Sequence, residues 1–379
     1  MEGQKGYRET GKKPVRYAVV GGYLGAGKTT SLIAFSQYLR MTGRRPAILV
    51  NDLGAKNLVD GTVTARAEVC PAMEITGDCI CYQTENLVDK LRRFRDADSA
   101  EMIFSDIPGC GIGGLDHVYH KLDQEYRGEF RLSPFTAIAD PERLRMIMPE
   151  KADIHLPEEM RYLFEAQLKE AEVIILNKID LLTPEERKRF RAFLETTYPH
   201  AKVFLMSAKT GENVGVCAEY LMEQDSCLPV KDIGYGGPEF MAAELTMSWY
   251  NSQLYFKAAQ PLDGNALIED IMERVRVRLR EAGRNVPHLK ILAMPAAETA
   301  VPEHAKASLT GIDHLVEFER RLPEIYDGIV LVINARAVCE SEKLSEILQD
   351  AAEEAAEQAG AKMRVYFTEC FGMMDEGRL

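Results

Sequence analysis

Residues 15–35, VRYAVVGGYLGAGKTTSLIAF, decide how the chain folds. Positions 15–21 form a mostly apolar, β-branched run of strand length, and from Leu32 the apolar residues Leu32, Phe35 and Leu39 recur at helical spacing. Between the two lies Gly22-x-x-x-x-Gly27-Lys28-Thr29, which satisfies G-x-x-x-x-G-K-[ST] in the strand-to-helix context that the pattern requires. The glycines Gly22, Gly25 and Gly27, with Ala26 among them, let backbone N–H groups converge on a β-phosphate, which also meets the positive end of the following helix. Lys28 should then reach the β- and γ-phosphates and the Thr29 hydroxyl should ligate Mg²⁺, with Thr30 beside it on the first helical turn.

A second set of residues selects the base. Asn177-Lys178-Ile179-Asp180 follows the apolar run EVIIL, at the C-terminal edge of a buried strand where open α/β sheets bind ligands. The Asp180 carboxylate can accept both the ring N–H and the exocyclic amine of guanine, a donor pair that adenine lacks, and buried mismatched partners cost a few kcal/mol. Lys178 would lie along the base plane. Ser207-Ala208-Lys209, again directly after a strand, would direct a backbone N–H at the guanine oxygen. The nucleotide expected is GTP, exchanged for GDP after hydrolysis.

Hydrolytic elements fall between these motifs. Asp106-Ile107-Pro108-Gly109 ends the strand EMIFSD as a D-x-x-G, in which a carboxylate holds Mg²⁺ through water and the glycine amide senses the γ-phosphate. Lys28, Thr29, Asp106 and Gly109 are therefore the expected catalytic set. Residues 51–60, NDLGAKNLVD, read as a mobile loop that offers Asp60 either as a further Mg²⁺ carboxylate or as a solvated turn aspartate. No glutamine follows Gly109 to orient a water, which predicts slow intrinsic hydrolysis unless a partner or dimerisation completes the site.

Around these motifs, short β-branched runs at 15–21, 46–51, 101–106, 135–140, 172–177 and 202–207 alternate with amphipathic stretches, the pattern of a parallel sheet with crossover helices. Thr183-Pro184-Glu185-Glu186 reads as a helix start with Thr183 as N-cap. The expected fold is α/β: a flexible tail at 1–13, a doubly wound, mostly parallel P-loop domain at 14–228, a glycine-rich linker at 229–242 and a smaller α+β domain at 243–379. In the last, strand, helix, strand, strand, helix, strand follow in the order of a ferredoxin-like split βαβ unit, with an irregular insertion at 295–326.

The chain has 379 residues, 46% apolar and 28% charged, with a formal charge of −13. That balance argues against a long nucleic-acid footprint, which needs clustered Lys and Arg. Neither a secretory signal in MEGQKGYRETGKK nor a run of about 20 apolar residues is present, so a cytoplasmic protein without membrane contact is expected. Eight cysteines in a chain this long fall short of a disulfide framework.

These residues resemble the G3E group of P-loop GTPases, and within it the CobW-like metal-trafficking proteins. The resemblance rests on GGYLGAGKTT (21–30), NDLGAKNLVD (51–60), GDCICY (77–82), the Asp106-x-x-Gly109 unit, QLKEAEVIILNKIDLL (167–182) and SAKTG (207–211). It implies a GTPase that couples nucleotide state to delivery of Zn²⁺, Co²⁺ or a metal-containing cofactor to a client metalloenzyme. It also implies homodimers, as among the nickel-inserting relatives. The chain departs from the group's pattern at Tyr82, where a third cysteine is usual, at Gly77-Asp78 in place of asparagine and glycine, at Asp106 in place of glutamate, and at Ala55 in place of an acidic residue.

Cys79 and Cys81, one residue apart, converge on one ion only if the backbone turns there, which Gly77-Asp78 allows. Soft divalent ions want three or four ligands, so Cys110, directly after the D-x-x-G, is the candidate third, with His117 and His120 as further options. The plain alternative is that these cysteines are small apolar core residues. Two other functions remain open: a GTP-dependent gate docking on a corrinoid protein without holding metal, and a P-loop small-molecule kinase, against which the guanine-selecting N-K-x-D speaks.

Overall fold

The computed structural model describes residues 13–54, 59–109, 111–148, 158–297, 299 and 303–372. They divide into two compact units. The first contains the chain to Leu53, Ala67–His155 and Met160–Tyr235; the second contains Gly54–Arg66, Leu156–Glu159 and everything from Gly236.

In the first unit the strands are β1 (Val15–Gly22), β2 (Pro46–Asn51), β3 (Ala72–Ile75), β4 (Met102–Asp106), β5 (Phe130–Leu132), β6 (Thr136–Ala139), β7 (Val173–Leu176) and β8 (Lys202–Leu205). They form a parallel sheet in the order β3-β2-β4-β1-β6-β7-β8, with β5 also paired to β1. Strands β1, β2, β4, β6 and β7 are buried along their whole length, as two-sided burial by crossover helices requires. The helix Lys28–Met41 packs Leu32, Phe35 and Leu39 against Ala18, Val20 and Phe104 of the sheet. Thr183 caps the helix Pro184–Thr197 in a reciprocal capping box with Glu186. Strands β3 and β5 were not expected from the sequence: at four and three residues they carry too little periodicity to be seen.

The second unit holds β9 (Ser248–Leu262), β10 (Asn285–Pro295), β11 (Ala305–Leu309), β12 (Glu317–Arg320), β13 (Tyr326–Val338) and β14 (Ala361–Gly372), all antiparallel, in the order β12-β11-β10-β13-β9-β14. Helices Gly264–Glu281 and Ser341–Gln358 supply Ile268, Ile271, Val275, Leu344 and Leu348 to one core with Leu254, Leu289, Ile291 and Ile333 of the sheet. The four consecutive strands β14-β9-β13-β10 have the split βαβ arrangement. The stretch expected as an irregular insertion contributes β11 and β12, which extend that sheet.

Two boundaries need correcting. Helix Pro238–Thr246 begins inside the stretch expected to be linker, with Pro238 at its first turn. Residues 54–66, assigned from the sequence to the first domain, belong to the second unit, where Val59 packs on Leu292, Met294 and Val332 and donates its N–H to Asn334 Oδ1 at 2.6 Å. No helix among the described residues is long and apolar enough to cross a membrane.

Candidate functional site

The phosphate loop of the first unit turns between β1 and the helix Lys28–Met41 through three glycines at positive φ: Gly22 at 131°, Gly25 at 80° and Gly27 at 93°. At Gly22 a Cβ would sit 2.3 Å from the Ile138 carbonyl oxygen, so strand packing as well as φ demands glycine. The Lys28 ammonium is folded into the loop and donates to the Gly22 carbonyl at 2.7 Å. Thr29 is buried on the first helical turn, and Gly27 is the N-cap, with no side chain to occupy the helix's leading N–H groups.

The N-K-x-D and S-A-K segments meet this loop through one side chain. Asn177, buried at the end of β7, donates from Nδ2 to the Ala26 carbonyl at 2.9 Å and accepts on Oδ1 from the Ala208 N–H at 3.0 Å. Gly27 lies so close that a Cβ would come within 2.5 Å of Asn177 Nδ2. Lys178 takes the left-handed conformation, φ 59°, which turns the chain sharply after the strand. Asp180 is exposed, held by one oxygen, Oδ1, on the Ser207 hydroxyl at 2.6 Å. Ser207 in turn accepts from the Thr210 N–H, which shapes the Ala208-Lys209 turn. Residues from three distant stretches thus form one surface.

Asp106 closes the other side of the β1 edge, where it is buried and accepts the Asn51 N–H at 2.8 Å on Oδ1. Gly109 packs on the phosphate loop: a Cβ there would meet Leu24 Cδ2 at 2.5 Å. A hydroxyl from Thr29 and a carboxylate from Asp106 are hard oxygen donors of the kind Mg²⁺ takes. Asp60 does not join them as a free carboxylate. It lies in the second unit, where Lys290 Nζ sits 2.7 Å from both of its oxygens. Burial alone would push this carboxyl up, but Lys290, Lys306 and His288 outweigh it and hold the group well below the usual carboxylate range. The reading of Asp60 as a solvated turn aspartate fails as well, because its side chain is only 17% exposed.

The backbone does turn at the cysteines. Gly77 has φ 86°, Tyr82 N–H donates to the Cys79 carbonyl, and the two sulfurs lie 3.0 Å apart, both nearly buried. Thiol-to-thiol hydrogen bonding, then burial, pushes the Cys79 thiol well up. Around the pair, the Tyr82 and Tyr235 hydroxyls share a hydrogen bond, and the His117 ring lies 4.3 Å from that of Tyr235. His120 instead meets the Pro229 carbonyl and Asp116. Cys110 falls outside the described residues, and among the described residues no three His, Cys, Asp or Glu side chains cluster to hold a metal. The other described cysteines, Cys70, Cys217, Cys227, Cys339 and Cys370, form no disulfide among the described residues.

One residue that the sequence reading passed over organises this region. Asn51 at the end of β2 donates from Nδ2 to the Ile75 and Asp78 carbonyls, at 3.2 and 2.8 Å, and accepts the Ile80 N–H on Oδ1 at 3.0 Å. Its only sequence signal was an asparagine at the C-terminal end of the apolar run 46–51.

The family described as CobW/HypB/UreG, nucleotide-binding domain, matches residues 16–205, from β1 to the end of β8. The chain belongs to this family. Two curated relatives, each called zinc chaperone CobW, are similar to it: one from Pseudomonas aeruginosa, 26% identical over 222 residues, and one from a Sinorhizobium species, 26% identical over 220 residues. Each alignment covers 53% of this chain, which spans 58% and 60% of the relatives' own lengths. Among solved structures, the Zn(II)-bound YjiA GTPase from E. coli aligns over 89% of this chain and 99% of its own, at 15% identity and a TM-score of 0.38. HypB from Helicobacter pylori in complex with nickel aligns over 55% and 86%, also at 15% identity and a TM-score of 0.38. In this CobW-family chain the matched region holds the whole phosphate loop, Asp106, both close cysteines and the N-K-x-D, but stops just short of Ser207.

Proposed function

We propose that the protein is a GTP-binding and GTP-hydrolysing metallochaperone, which couples nucleotide state to delivery of a transition metal or metal cofactor to a client enzyme. The observation that carries the nucleotide half is the Asn177 side chain, bonded at once to the phosphate loop at Ala26 and to the base loop at Ala208. It leaves Asp180 exposed and oriented by Ser207, with a free side for a guanine edge. In this reading Lys28 offsets phosphate charge, and Thr29 and Asp106 would hold Mg²⁺, which supplies Lewis-acid polarisation of the phosphates when bound. Gly109 would offer its amide to the γ-phosphate. With no side chain identified to orient the attacking water, turnover is slow.

The metal half rests on the two sulfurs 3.0 Å apart and on the relatives named as zinc chaperones. Sulfur donors suit Zn²⁺ or Co²⁺, and two of them need further ligands from elsewhere to complete a tetrahedron. Calorimetry with GTP and ATP tests the first half: GTP bound at least about a hundredfold more tightly than ATP supports guanine selection, and equal binding or none overturns it. Zn²⁺ and Co²⁺ titrations of the wild type and of Cys79→Ser/Cys81→Ser, each with and without GTP, test the second. Unchanged metal affinity in the variant removes the cysteines from the site.

A further inference from the structure

We propose that Gln167 and Glu170 are positioning residues that hold the γ-phosphate-sensing loop after Asp106, and so set how strongly the protein distinguishes a guanosine triphosphate from a diphosphate. The inference rests on the guanine-nucleotide reading above. Both residues lie on helix Glu158–Glu170, three positions apart and hence on one face. Both are almost wholly buried, at 2% and 1% exposure.

Gln167 Nε2 donates to the carbonyls of Gly109 and Gly111, each at 3.0 Å. The Glu170 carboxylate accepts the Gly113 N–H at 3.0 Å on one oxygen and the Leu115 N–H at 2.6 Å on the other. Two side chains therefore fix four main-chain groups within seven positions, donor set against carbonyls and acceptor set against N–H groups. Neither residue can do the other's task, because a carboxylate opposite two carbonyls would be left with nothing to accept.

The opposite side of the same loop rests on the phosphate loop, where Gly109 leaves no room for a Cβ beside Leu24. The Gly111 N–H closes a turn onto the Pro108 carbonyl at 2.8 Å, and a single π-helical turn, Leu115–His120, starts where Glu170 grips. Gln167 Oε1 is buried without a hydrogen-bond partner, so its amide nitrogen is the end that acts. A diphosphate is held by the phosphate loop and the guanine-selecting residues, none of which the pair touches. A triphosphate also needs the Gly109 amide, whose peptide group is held at the Pro108 carbonyl by the Gly111 N–H, while the clamp secures the carbonyls of Gly109 and Gly111 that follow it.

The test uses the full chain with Mg²⁺, measuring equilibrium affinity for GDP and for a non-hydrolysable GTP analogue together with kcat and KM for GTP. The variants are Gln167→Glu, Gln167→Met and Glu170→Gln. Loss of the amide donor should lower both analogue affinity and kcat by about tenfold or more, with GDP affinity held within about threefold. Glu170→Gln, which keeps one acceptor, should fall between wild type and the Gln167 variants. If Gln167→Glu does not fold, Gln167→Met carries the test, and Glu170→Gln carries it if neither does. A triphosphate-to-diphosphate affinity ratio and a kcat both unchanged within about twofold overturn the proposal. So does an equal loss for both nucleotides, which is the mark of a purely structural role. A wild-type chain that binds no guanine nucleotide overturns the functional reading itself, which is a different result from a wild type that binds and variants that do not differ.

Discussion

Replacing Asp60 with asparagine should destabilise the second unit by about 3 kcal/mol, because it strands a charge that the fold has enclosed. Lys290 and Asp60 side chains are 14% and 17% exposed, their atoms 2.7 Å apart, and Lys306 with its partner Glu319 adjoins them. Removing one member of an enclosed pair costs about 3–5 kcal/mol, and the residual solvent access here places the loss at the lower end. Lys290→Met should cost less, about 2 kcal/mol, since Lys306 and His288 still face Asp60. The double variant should cost little more than either single one, a coupling of about 2 kcal/mol. The chain's one tryptophan, Trp249, is buried in that unit against Phe371, so urea unfolding followed by its fluorescence reads the relevant transition. The pH dependence follows from the lowered folded-state carboxyl. Its contribution is fully present above the unfolded value of 3.8 and is lost as pH falls below it, so wild type and Asp60→Asn should converge in acid. Losses that add within about 0.5 kcal/mol in the double variant would refute the argument.

Glu170→Gln should flatten the stability profile near neutrality. Burial raises this carboxyl to about 7, only partly offset by the Leu115 and Gly113 N–H groups, so wild-type stability should fall by about 3 kcal/mol as pH rises from about 4.5 to 7, and the variant, followed by urea midpoints, should not. Asp180→Asn should lose about a hundredfold or more in GTP affinity and gain XTP binding, because the amide N–H₂ donates to the xanthine oxygen that replaces the guanine amine; calorimetry with both nucleotides decides it. Asn51→Asp keeps the backbone N–H to Asp106 but loses both side-chain donors to the Ile75 and Asp78 carbonyls, so Zn²⁺ affinity should fall about tenfold while GTP affinity stays. Equal loss of both ligands, measured by competition with a chelating dye and by calorimetry, would count against that separation.

What could be read in the sequence was what local chemistry fixes. The phosphate loop needs glycine at three positive-φ positions, and the N-K-x-D and S-A-K segments sit on strand ends, so their convergence followed from the sheet's connectivity. The order of the second unit was legible because helices Gly264–Glu281 and Ser341–Gln358 are long and amphipathic. Unseen were features made by packing between distant stretches. Asp60 looked like a loop carboxylate because nothing local announces Lys290, some 230 positions away. Gln167 and Glu170 looked like ordinary residues of a crossover helix, since the main-chain groups they hold belong to a loop over 50 positions earlier. β11 and β12 were missed because short strands at a sheet edge carry weak alternation.

A protein that reads a nucleotide and handles a metal needs a rigid part touching both sites, and the end of β2 has the required geometry. The Asn51 N–H fixes the Asp106 carboxylate, while the same residue's side chain fixes the backbone at Ile75, Asp78 and Ile80, on both sides of Cys79. Three of these four bonds are buried and cannot be exchanged cheaply for water, and displacing Asp106 would pull on the strand end that shapes the cysteine turn. Three residues on, at Gly54, the chain passes from the first unit to the second. A shift of a few tenths of an ångström at Asn51 would therefore be felt by the main chain on either side of Cys79 through direct hydrogen bonds. Nucleotide state is thus expected to reach the cysteines through Asn51, by way of three hydrogen bonds of one amide side chain.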